Sequence, residues 1–160
     1  MSLRGLARNL WIDAHTLAGA DRRALRRMRA HSGPVVRVVL AHGTPRSSAD
    51  AFRRQLEWAS ERFELIDFAR FKTLWENPGV RPARPCMLYT FDDGLASNHE
   101  VGAPILEEFG ARGVFFVVPG FSLNGDPGAA RRYFAEKLRG VGEDFTPMTP
   151  AQIKDLSARG

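Results

Sequence analysis

Two adjacent carboxylates, Asp92 and Asp93, followed at once by Gly94, close the run Cys86-Met87-Leu88-Tyr89-Thr90-Phe91. Carboxylates side by side at the mouth of a buried strand repel each other and lose solvation. A cation, a shared proton or strong hydrogen bonds must offset that cost. The glycine lets the backbone turn sharply and lets a ligand approach closely. Such a triplet suits metal-assisted hydrolysis, in which one carboxylate binds a divalent cation and the other deprotonates a water held by that cation. It equally suits an Asp-Gly turn in which either aspartate bonds local backbone. The triplet alone leaves both readings open.

Adjacent residues on a regular strand point to opposite faces, so both aspartates serve one site only where the strand curls into its loop, as Gly94 allows. The elements around the triplet must supply a sheet whose carboxyl edge is the site. Residues 3 to 31 read as helical, with Leu3, Leu6, Leu10, Leu17, Ala24 and Met28 at helical spacings, and Ser32-Gly33-Pro34 ends the segment. Val35 to Ala41 reads as a strand and His42-Gly43-Thr44-Pro45 as the loop after it. Ser48 is expected to cap a helix through Arg62, Phe63 to Ile66 to form a short strand, and Asp67 to cap a helix through Trp75. Beyond the triplet, Ser97 or Asn98 begins a helix with Val101, Pro104, Ile105, Leu106 and Phe109 inward and Gly110 at its C-cap. Gly113 to Val118 reads as a fully apolar strand, and a helix is expected over about residues 129 to 138. Thr149 caps a last helix with Pro150 at its first position and Gly160 at its end. Apolar strands alternating with amphipathic helices predict a mostly parallel α/β sheet or barrel.

A chain of 160 residues suits one domain with a real core. With 44% hydrophobic and 26% charged residues it is not of the disordered class. No apolar run reaches the roughly 18 to 20 residues of a membrane helix. The N-terminus lacks the continuous apolar core of a secretory signal, so a cytoplasmic location is expected. Cys86, the single cysteine, has no internal disulfide partner and reads as core. The net charge is +5 and the pI about 10.1, with Arg22, Arg23, Arg26, Arg27 and Arg29 crowded together. These arginines form either a solvated helix face or a contact for a polyanion or an anionic membrane surface. No aromatic residues interleave with them, so no nucleic-acid partner is expected.

Thr90-Phe91-Asp92-Asp93-Gly94 resembles the first signature motif of the polysaccharide deacetylase family, the NodB-homology domains of carbohydrate esterase family 4. The stretch Pro104 to Gly110 followed by Gly113 to Val118 is similar to the helix and strand after that motif. Val38 to His42 resembles the strand ending in histidine that opens many members acting on surface polysaccharides, and Met148 to Gly160 the helix leading to the second motif. The resemblance covers about residues 35 to 160. It implies an incomplete deacetylase domain there, preceded by a basic helical N-terminal extension over residues 1 to 34. It further implies the N-terminal part of a deformed (β/α) barrel, and hydrolysis of the non-peptide C–N bond of N-acetylated, sometimes O-acetylated, sugars. By the same resemblance Asp92 is the general base and Asp93 a ligand of a divalent metal, usually zinc. A His-x-x-x-His pair would complete the metal site and a later histidine would act as general acid.

His15, His31, His42 and His99 are the only histidines, and no two have that spacing. The strands read here are also too few to close such a barrel. The chain is therefore expected to be the N-terminal part of a longer deacetylase and to lack full activity by itself. His42 is either a ligand reaching the site from the first strand or a partner of nearby loops. His99 is expected to be exposed, and His15 and His31 carry no functional signal. Trp58, Phe115 and Phe116 are expected in the core rather than as sugar-stacking platforms. Thr90 and Phe91 are expected to shape the motif by packing and hydrogen bonding. Two other functions remain: a non-catalytic remnant that holds an anionic partner with its basic helix, and a related barrel hydrolase acting on non-sugar amides.

Overall fold

The computed structural model describes residues 19–123, 128–129, 132, 136 and 146–160. Most of the helix expected over residues 129 to 138, and the part before residue 19 of the helix expected over residues 3 to 31, lie outside them, as does His15.

Among the described residues four strands, all parallel, form one sheet. The central one, β3 (Cys86–Phe91), is buried at every residue, which is why its sequence is apolar without alternation. Along one edge it pairs over its full length with β1 (Val36–Ala41), from Val36 beside Cys86 to Ala41 beside Phe91. Two short strands share its other edge. β2 (Glu64–Leu65) lies beside Cys86 and Met87, and β4 (Gly113–Phe115) beside Tyr89 to Phe91. The carboxyl ends of β1, β3 and β4 thus lie together.

One face of the sheet carries the larger core. Met87, Tyr89 and Phe91 pack there against Leu56 and Ala59 of helix α2 (Ala49–Ser60) and against Ile105 and Leu106 of a helix described below. Helix α1 (Ala20–Ala30) lays Leu25 and Met28 on the same cluster and leaves its arginines exposed. On the opposite face, Cys86 and Leu88 meet Ile66 and Leu74, the latter from helix α3 (Phe68–Glu76). Asp67 caps α3 as expected, its Oδ1 accepting from the Arg70 amide at 2.7 Å.

Several details differ from the expectations. Ser48 does not cap α2; a 3-10 turn (Arg46–Ser48) precedes that helix, and the Ser48 hydroxyl donates to the Pro45 carbonyl instead. The helix after Gly94 opens as a π-helical turn (Asn98–Gly102) before becoming α4 (Ala103–Glu108). Pro104 accounts for this: it has no N–H for a carbonyl four residues back, and its ring crowds that carbonyl. Gly110 ends the helix at φ 65, as a C-cap glycine should. β4 stops at Phe115, and Phe116 is 56% exposed, so the expected strand to Val118 is shorter than its apolar sequence. Trp58 is also 42% exposed, with Arg62 stacked 4.8 Å over its ring, and is not core. Val38 and Leu40 on β1 are more than half exposed, because among the described residues nothing covers the face they share. A short helix, α5 (Pro119–Ser122), follows β4, and α6 (Pro150–Arg159) closes the chain behind a Thr149–Gln152 capping box.

Candidate active site

Asp92 stands one residue past β3 and extends the ladder, its amide donating to the Ala41 carbonyl at 2.9 Å. The chain then leaves the strand through two consecutive left-handed residues, Asp93 at φ 69 and Gly94 at φ 64. Aspartate is among the few side chains that visit this region readily. A Cβ on Gly94 would lie 3.2 Å from the Val117 Cα, so this position needs glycine for space as well as for φ. The curl required to bring neighbouring aspartates to one edge is therefore present. A strap locks it from outside. The Met148 amide donates to the Gly94 carbonyl at 2.8 Å, Leu95 bridges Pro147, and the Ala96 amide donates to the Thr146 carbonyl at 2.7 Å.

Beneath the aspartates the motif is anchored by packing. Phe91 is 1% exposed, stacks on Phe115 with ring centroids 4.9 Å apart and receives Phe52 edge-on at 6.2 Å. Thr90 donates its hydroxyl to the Val39 carbonyl at 3.2 Å, tying β3 to β1. Phe115 thus takes part in this packing although it is only half-buried.

His42 takes the first of the two placements open to it and reaches the site from the end of β1. Because Ala41 lies beside Phe91, the residue after β1 emerges next to the aspartates, and the His42 Nδ1 lies 2.8 Å from the Asp93 Oδ2. An ionised carboxylate only accepts, so Nδ1 donates and Nε2 is left as the ring's outward nitrogen. The pair is partly exposed, at 39% for the His42 side chain and 20% for that of Asp93.

A buried polar group holds the His42 loop. Asn98 is fully buried; its Nδ2 donates to the His42 carbonyl at 2.9 Å and its Oδ1 accepts from the Thr44 hydroxyl at 3.3 Å. The Thr44 amide in turn donates to the Ser97 hydroxyl at 3.3 Å. In the sequence Ser97 and Asn98 read only as helix starters.

His99 is not exposed as expected. α6 covers it, and its Nε2 lies 2.9 Å from the Asp155 Oδ2. Arg159 reaches the same carboxylate at 2.9 Å and also Glu107. Hydrogen bonds from Arg159, and then from His99, hold the Asp155 carboxyl below the ordinary carboxylate range. This cluster pins α6 to the turn after the motif. His31 bonds only its own turn, accepting from the Gly33 amide at 3.1 Å. Deeper in the sheet, burial pushes the Cys86 thiol up to about 11 and the Tyr89 phenol up to about 12.

A catalytic zinc takes three protein ligands. Among the described residues no three His, Cys, Asp or Glu side chains converge on one point. Asp93 and His42 are the pair nearest to such a set, and they are bonded to each other. These residues alone do not hold the expected metal.

This parallel α/β fold, with helices on both faces of the sheet, is shared with deacetylases of known structure over most of the chain. Three solved structures share it. The Streptococcus pyogenes deacetylase PplD, solved in complex with acetate, matches with a TM-score of 0.55 at 19% identity over 80% of this chain and 53% of that one. IcaB from Ammonifex degensii matches with a TM-score of 0.51 at 23% identity over 80% and 49%. The deacetylase domain of BpsB from Bordetella bronchiseptica matches with a TM-score of 0.50 at 22% identity over 81% and 52%. The chain spans about half the length of these structures. No protein-family model and no curated protein matches it.

Proposed function

We propose that the chain carries a deacetylase site, hydrolysing the C–N amide bond of N-acetylated sugars in a glycan or its precursor. The observation that supports this most strongly is the curled Asp92-Asp93-Gly94 end of the central strand, with His42 hydrogen-bonded to Asp93 across from β1, in a fold shared with deacetylases. Asp92 would act as general base, taking a proton from the water that adds to the acetyl carbonyl carbon. His42 in its imidazolium form, with Nδ1–H held by Asp93, would give its Nε2 proton to the departing amine as the C–N bond breaks and acetate leaves, ending as the neutral ring. A divalent metal, zinc by the family resemblance, would take Asp93 as one donor and polarise the carbonyl, with its other ligands supplied from outside the described residues. The strands described would then be the first part of a deformed barrel.

The test is acetate release from N-acetylglucosamine oligomers by the whole chain with zinc present, comparing wild type with Asp92→Asn. Loss of a general base costs about 10²- to 10⁴-fold, and unchanged release in the variant would refute the assignment.

A second reading has its own observation. Arg22, Arg23, Arg26, Arg27 and Arg29 are all exposed on α1, and none joins an ion pair among the described residues. No described helix is long and apolar enough to cross a membrane, and α1 spends Leu25 and Met28 on the core. Contact with an anionic membrane surface would therefore be electrostatic, at about 1 kcal/mol per arginine near the surface. Co-sedimentation with vesicles containing anionic lipid should fall steeply between low and high salt and survive Asp92→Asn. Binding insensitive to salt would refute this reading.

A further inference from the structure

We propose that Asn98 is a positioning residue for the His42–Asp93 pair, a role that the signature motif does not include. The geometry is that of a clamp with one fully buried amide at its centre. Asn98 projects from the π-helical turn that follows the motif and meets both ends of the His42-Gly43-Thr44 loop. It donates to the carbonyl of His42 and accepts from the hydroxyl of Thr44. Ser97 adds a third bond from the same turn, accepting from the Thr44 amide. All three polar side chains are almost wholly out of water, where an unpaired donor or acceptor costs about 1–3 kcal/mol. The loop is thus held strongly in this one arrangement.

The surrounding glycines show how closely the two segments are seated. A Cβ on Gly43 would lie 3.0 Å from the Leu95 Cδ1, and one on Gly102 would lie 2.9 Å from the Thr44 hydroxyl oxygen. The loop and the Leu95-to-Gly102 segment thus lie too close for a side chain at either glycine, and the hydrogen bonds set the register there. The His42 ring leaves the loop on the other side, toward Asp93. Clamping the His42 carbonyl fixes the backbone from which the imidazole projects toward the Asp93 carboxylate.

The two arms of the clamp separate positioning from mere stability. Thr44→Val keeps the loop's shape and the bond to the His42 carbonyl while removing one buried hydroxyl. Asn98→Asp keeps an acceptor for Thr44 but removes the donor to His42. The inference rests on the deacetylase reading only for what the pair is positioned to do; the test below reads geometry and no turnover.

In nitrogen-15 spectra of the whole chain, the His42 Nδ1–H bonded to Asp93 should give a slowly exchanging downfield proton, assigned by its loss in His42→Gln. That signal should persist in Thr44→Val and disappear in Asn98→Asp and Asn98→Ala, with folding checked by circular dichroism. The wild-type chain supplies a further arm needing no variant: the Asn98 side-chain amide protons should resist hydrogen exchange. A folded Asn98 variant that retains the His42 signal would overturn the proposal. So would rapid exchange of the Asn98 amide in the wild type.

Discussion

Replacing Gly113 by alanine tests whether the packing under the aspartates is as tight as described. Gly113 opens β4 beside Tyr89, and a Cβ there would lie 2.8 Å from the Phe91 Cε2 and 3.1 Å from the Leu106 Cδ1. Carbon atoms prefer about 3.5–4.0 Å, so the methyl intrudes by roughly an ångström on the Phe91 side. The ring has little room to retreat, because Phe115 is stacked on one face and Phe52 meets it edge-on. Overpacking of this kind costs about 1–3 kcal/mol. Glycine-to-alanine changes also bring a backbone gain of about 0.4–1 kcal/mol through the unfolded chain. Gly79→Ala provides the reference for that gain, since nothing lies within 4 Å of its Cβ position. The difference between the two variants is then the packing cost alone. In a chain of this size each kcal/mol moves Tm by about 2–4 °C, so Gly113→Ala should melt about 2–12 °C below Gly79→Ala. In a Phe91→Leu background, where the contacting edge is gone, most of that gap should close. Equal melting temperatures for the two alanine variants would refute the packing argument, as would a gap untouched by Phe91→Leu.

Other consequences follow from the same structure. The Cys86 thiol and Tyr89 phenol, raised by burial to about 11 and about 12, stay neutral in the fold at pH values where the unfolded chain ionises them. Their stabilising contribution is fully present below their ordinary values of 9.0 and 10.0 and is lost as pH rises through about 11 and about 12. Urea midpoints should therefore fall above pH 9, less so in Cys86→Ala; an identical pH profile in that variant would count against the assignment. Asp67→Ala removes the cap on α3 and should cost about 0.5–2 kcal/mol, read as a drop in urea midpoint at unchanged slope.

The parts of the fold legible in the sequence are those set by neighbours along the chain. The buried β3 declares itself by an unbroken apolar run, α3 by Asp67, α6 by Thr149 and Pro150, and the end of α4 by Gly110. What the sequence leaves open or misses depends on contacts between distant segments. That His42 reaches Asp93 follows from the register of β1 on β3, which no local pattern in either strand encodes. The π-helical turn results from Pro104 acting on residues before it, and it brings Asn98 to the His42 loop. Trp58 and Phe116 read as core because they are apolar, yet burial is decided by what lies over them. His99 errs the other way: a helix some 50 residues later covers it.

The central claim is that Asp92 is the base of a deacetylase site at the carboxyl edge of this sheet. It is tested most directly by measuring acetate released from N-acetylglucosamine oligomers, with zinc present, by wild-type chain and by Asp92→Asn of matched folded content. The account predicts slow release by the wild type that drops at least about 10²-fold, to the uncatalysed background, in the variant. Release that is the same in both would contradict it.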